Sequence, residues 1–146
     1  MGAVLYIAVK FIAYTAWCYF GLHKLRPGSR PAVAGAIGYG FLRLLLGLFF
    51  GVLIWLLSSI LISRLGSGLP QSIVTYLLVY IPVRWVEWTI MAMFIVPGSH
   101  PILRWSVGTG RIDRLWRVGG IAISCVADIP LIMSLGGVIP VGRFLC

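Results

Sequence analysis

The chain has 146 residues, 60% of them apolar and 10% charged, with 12 Lys and Arg against 3 Asp and Glu and a formal net charge of +9. Its mean hydropathy is +1.03. A soluble domain of this length cannot hide that much apolar surface, and a nucleic-acid partner would need water-facing positive charge on a soluble scaffold, which a chain so poor in charge does not offer. The composition therefore reads as an all-α polytopic transmembrane bundle with its basic residues in the loops, in contact with membrane lipid and with no nucleic acid.

The first apolar run, roughly 3–22, is long enough to cross a bilayer. It lacks a basic leader and a small-residue cleavage site and is expected to stay as a helix. It carries Lys10, with Tyr6 and Tyr14 at helical spacing on the same stripe. The segment HKLRPGSRP that follows (23–31) holds His23, Lys24, Arg26 and Arg30, and Pro27, Gly28 and Pro31 end any helix there. The small-residue run AVAGAIGYG (32–40) either extends the second helix or lies along the interface.

The second span is expected at roughly 41–63. Arg43 sits near its start, where a long side chain can snorkel to the headgroups. Gly47 and Gly51 form a G-x-x-x-G pair, which fits either packing within the chain or dimerisation through that face. Residues 64–70 make a tight turn into the third span, roughly 73–96, so these two helices should be antiparallel neighbours. The third span contains Pro82, Arg84 and Glu87 close to its midpoint, about 15 Å from either end at helical rise. Arg84 and Glu87 are three apart and can pair directly.

The connection from 97 to 117 carries His100, Arg104, Arg111, Asp113, Arg114 and Arg117 between apolar residues, as an interfacial helix lying on anionic headgroups would. A fourth span is expected at roughly 119–141, with Asp128 near its centre and Pro130 two residues on. Two cations, Lys10 and Arg84, and two acids, Glu87 and Asp128, would close a neutral intramembrane cluster. Pro82 and Pro130 each remove a backbone donor and free the carbonyl four residues earlier, at Leu78 and Val126, and mark helix hinges.

Basic residues stay on the cytoplasmic side of short loops. The first and third connections hold seven Lys and Arg and the remaining segments only Arg64 and Arg143, so both termini are expected outside the cytoplasm, in a cytoplasmic membrane. Arg26, Arg30, Arg111, Arg114 and Arg117 would then face anionic headgroups. Cys18, Cys125 and Cys146 show no metal-site or disulfide spacing and read as small core residues, and His23 and His100 lack further ligand spacing; no cofactor is indicated.

The segments GRIDRLW (110–116) and VADIPLIMSLGG (126–137) resemble the two aspartate motifs of lipoprotein signal peptidases, which are small four-span aspartic proteases. The resemblance implies acids at Asp113 and Asp128. It is confined to the C-terminal part of the chain and departs from the family pattern in that the chain has no Asn and its two acids are close in sequence, one of them in a basic loop. The residues themselves favour a packing or lipid-contacting subunit of a larger membrane assembly, with protein partners or copies of itself. The alternatives are a small proton- or ion-coupled transporter and a lipid-modifying enzyme using its basic loops to hold a phosphate headgroup.

Overall fold

The structure, a computed structural model, describes residues 2–26, 28, 32–65, 74–96 and 110–134. About 95% of these are helical, in four helices with no strand among the described residues. They are α1 (Gly2–Leu25), α2 (Val33–Leu65), α3 (Ile81–Ile95), which is entered through a π-helical segment Tyr76–Tyr80, and α4 (Arg111–Ser134). The ends follow local chemistry. Gly28 takes a positive φ of 98° just beyond α1, and Val96 turns to an extended ψ of 84° before Pro97, because proline excludes the helical conformation from the residue ahead of it. Asp113 lies in the first turn of α4, where the helix dipole favours a negative charge.

Residues 32–40 are settled by α2, which begins at Val33 and runs as one helix to Leu65. The same result lengthens the second span at its N-terminal end by about two turns. The interfacial helix expected in the third connection is, over its described residues, the start of α4 and not a separate element.

Side-chain contacts fix the arrangement. Thr15 faces Gly40 and Tyr14 meets Arg43, Tyr39 meets Phe94 and Arg43 Glu87, Tyr80 meets Asp128 and Thr89 Arg117, so each sequential pair of helices is antiparallel, and Tyr6 with Asp128 and Trp17 with Trp116 return α4 beside α1. The result is an up-down-up-down bundle in which α1 and α3 approach across the centre while α2 and α4 lie diagonally apart. Each helix turns a 3.6-residue stripe inward. On α2 that stripe is Ala36, Gly40, Arg43, Gly47, Gly51, Ile54 and Ser58, all buried. Gly47 and Gly51 thus face the interior of their own bundle.

Two apolar plugs fill the interior. One holds Tyr14, Cys18, Leu22, Trp88, Met91, Ile95 and Trp116; the other holds Ile54, Val79, Tyr80 and Val83. The first is tightened by a reciprocal pair, in which Trp17 Nε1 donates to the Trp116 carbonyl at 3.0 Å and Trp116 Nε1 to the Trp17 carbonyl at 3.2 Å. That approach needs Gly21, where a Cβ would stand 2.5 Å from Trp116 Nε1. The outer surface is apolar, with residues such as Phe49 at 70% exposure and Leu48, Val52, Leu56 and Ile60 in the open. Water would not tolerate so continuous a surface, whereas lipid favours it. Three stretches, Val4–Leu25, Val33–Leu61 and Leu77–Ile95, are long and apolar enough to cross a membrane.

Candidate functional site

Between the two plugs lies a chain of buried charge drawn from all four helices. Asp128 on α4 is its first node. Its Oδ1 accepts from the Tyr6 hydroxyl at 2.8 Å and pairs with Lys10 Nζ at 2.7 Å, both from α1. Its Oδ2 accepts from the Tyr80 hydroxyl and lies 4.0 Å from Arg84 Nη2. Arg84 on α3 continues the chain, donating through Nη2 to the Tyr80 hydroxyl at 2.7 Å and through Nη1 to Glu87 Oε2 at 2.9 Å. The same Oε2 accepts from Arg43 Nη2 of α2.

Lys10, Arg43, Arg84, Glu87 and Asp128 are each more than nine-tenths buried. The cations also rest on aromatic faces, which offset part of their desolvation. Lys10 Nζ is 4.5 Å from the Tyr6 ring centre and Arg84 Cζ 4.6 Å from that of Tyr80. Arg43 Cζ lies 4.8 Å from the ring centre of Tyr14 and 5.0 Å from that of Trp88.

The four residues singled out from the sequence, Lys10, Arg84, Glu87 and Asp128, are therefore brought together in one network. Two expectations are corrected. Arg43 is not at the headgroups: α2 starts at Val33, so Arg43 is ten residues, about 15 Å, inside the helix and fully buried. Its arrival makes three cations against two carboxylates, so the neutral cluster expected from two and two becomes one with a formal charge of +1.

Arg117 is the second correction. Arg111 and Arg114 are exposed at the start of α4, but Arg117 is buried. It donates to Asp113 Oδ2 at 2.7 Å and to Thr89 Oγ1 at 2.8 Å, and its Cζ lies 5.5 Å from the Trp85 ring centre, so it ties α4 to α3. Arg26 is half-buried near the end of α1, and Arg30, Arg104 and His100 lie outside the described residues. Asp113 and Asp128 stand 15 residues apart on one helix, about 22 Å along its axis. Two carboxylates at that distance cannot share a proton as an aspartic-protease dyad must.

The prolines behave differently from each other. Pro82 comes two residues after the π-helical segment Tyr76–Tyr80, whose wider turn lies where the missing proline donor would have broken the ordinary helix. That segment ends on Tyr80, a ligand of Asp128. α4 runs through Pro130 to Ser134 with no break in its helical backbone. An apolar groove of about 410 Å³ between α2 and α3, lined by Leu57, Ile60, Leu61, Leu78, Val79 and Pro82 with Arg64 on its wall, contains none of the network's charges.

Hydrogen bonding in the network is incomplete. Among the described residues Arg43 Nε and Nη1, Arg84 Nε, Glu87 Oε1 and the Tyr14 hydroxyl are buried without a hydrogen-bond partner. Comparison with known proteins finds no matching family model, no similar curated protein and no similar solved structure.

Proposed function

We propose that this chain is a small integral membrane protein whose buried charge network is its working site, in a carrier for an ion or a proton-coupled solute. Glu87 and Asp128 are its acids, and Lys10, Arg43 and Arg84 their electrostatic partners. One observation carries the reading: the network has one more cation than carboxylates and leaves buried donors and an acceptor without partners. A network that only fastened helices would be most stable with equal charges and every polar atom filled, because an uncompensated buried charge costs several kcal/mol. Ionisable groups at this depth mark ion and solute sites. The π-helical turn beside Tyr80 supports the same reading, since interrupted helices next to buried charge provide the local freedom such a site needs.

In this reading α4 crosses the membrane with the three apolar helices. Lys24, Arg26, Arg111 and Arg114 share the cytoplasmic end and the termini face the other side. A second reading, a packing or lipid-contacting subunit, is favoured by the way the network joins all four helices.

Reconstitution of the purified chain alone into liposomes separates the two. A carrier gives ion- or proton-gradient dissipation above that of empty vesicles, kept by Glu87→Asp and lost in Glu87→Gln. Wild-type vesicles no leakier than empty ones would remove the carrier and leave the subunit.

A further inference from the structure

Around Glu87 the network holds several buried polar atoms without hydrogen-bond partners among the described residues. Arg43 meets a single carboxylate oxygen, through Nη2, and its Cζ lies 4.8 Å from the Tyr14 ring centre and 5.0 Å from that of Trp88. Its Nε and Nη1 are both buried without a partner among the described residues. Arg84 adds an unfilled Nε. The Tyr14 ring lies 4.8 Å from Arg43 Cζ, and its hydroxyl is likewise buried without a hydrogen-bond partner among the described residues.

We infer that the bundle binds one small singly charged anion, such as chloride, between Nε and Nη1 of Arg43, Arg84 Nε and the Tyr14 hydroxyl. Charge decides against water alone: waters could fill the hydrogen bonds, but they leave the formal +1 uncompensated in a low-dielectric interior, where a lone charge is most costly. One monovalent anion brings the sum of Lys10, Arg43, Arg84, Glu87 and Asp128 to zero. Glu87 Oε1, the one acceptor left over, is matched by a water carried in with the anion. This inference deepens the carrier reading by naming the solute class, but its test reads binding and not transport.

Thermal unfolding of the purified protein in detergent, titrated from gluconate into chloride at constant ionic strength, makes that test. The expected wild-type result is a midpoint that rises with chloride and saturates, as for a ligand held by the folded state alone. Arg43→Met, which makes the network neutral, should show no chloride response at whatever midpoint it has in gluconate.

Glu87→Gln, which removes a neighbouring negative charge, should lower the half-saturating chloride by about tenfold or more. Tyr14→Phe removes only a donor and should fold as stably as wild type in gluconate while needing more chloride to saturate. A wild-type midpoint indifferent to chloride would overturn the inference. So would a full chloride response in Arg43→Met, unchanged half-saturation in Tyr14→Phe, or a Tyr14→Phe protein that is unstable in gluconate, since the hydroxyl would then already be spoken for. Binding without flux in liposomes would remove the carrier and keep the anion site, and flux with no chloride binding would do the reverse.

Discussion

Replacing Glu87 by Gln removes the one carboxylate that meets two guanidinium groups, Arg43 and Arg84. The formal charge of the buried network rises from +1 to +2. Breaking a buried pair by removing one partner costs about 3–5 kcal/mol, and little of it is recovered locally, because all five charges are sealed from solvent. The two arginines do not suffer equally. Arg84 still has the Tyr80 hydroxyl at 2.7 Å and Asp128 at 4.0 Å, whereas Arg43 keeps only two aromatic faces. Most of the loss should therefore sit on Arg43, and adding Arg43→Met to Glu87→Gln should recover half of it or more. Unfolding of the wild type, both single variants and the double in gluconate measures each step. A Glu87→Gln protein within about 1 kcal/mol of wild type, or a double variant no more stable than Glu87→Gln, would refute a shared oxygen between two buried arginines.

Gly21→Ala should cost about 1–3 kcal/mol, because its Cβ would press on Trp116 and part the reciprocal Trp17 and Trp116 bonds; thermal unfolding reads it. Arg111→Gln with Arg114→Gln should leave stability within about 0.5 kcal/mol and weaken retention of anionic lipid in native mass spectrometry by about 1 kcal/mol per residue. Arg117→Gln should do the opposite, destabilising the fold while leaving lipid preference unchanged, since Arg117 is bonded to Asp113 and Thr89. Single cysteines placed at Arg26 and Arg114, in a chain without its natural cysteines, should react with a membrane-impermeant reagent only from the cytoplasmic side, and one at Arg64 only from the other; the reverse pattern would invert the topology.

Much of the site was legible because depth and spacing in an apolar run are strong constraints. Arg84, Glu87 and Asp128 each lie too far from a helix end to reach water, so they had to face partners, and Lys10 shares a helical stripe with Tyr6 and Tyr14 that could meet them. Arg43 was misplaced for a specific reason: a span drawn from hydropathy alone begins at its bulky residues, at Phe41, and leaves open whether the Gly- and Ala-rich stretch before it extends the helix, as residues 33–40 of α2 do. Small residues score weakly for apolarity yet pack well against a neighbouring helix, and eight residues of unread helix turned a snorkelling arginine into a buried one. Arg117 was grouped with Arg111 and Arg114 because an amphipathic pattern shows which residues share a face but not that the charged one can turn inward. Its pairing with Asp113 at four residues' spacing was the available signal. Pro82 marked the place of the π-helical turn ahead of it, whereas the partnership of Arg117 with Thr89 depends on tertiary packing and left no mark in the sequence.

The most direct test of one continuous buried network is the coupling between Lys10 and Asp128, which lie 118 residues apart in the chain and 2.7 Å apart in the bundle. A double-mutant cycle of Lys10→Met, Asp128→Asn and the pair, read by unfolding of the purified protein, isolates that contact. A coupling of about 1.5 kcal/mol or more, with the double variant more stable than the sum of its parts, is the expected result. Effects that add within about 0.5 kcal/mol would mean that the first and last helices do not share their charges.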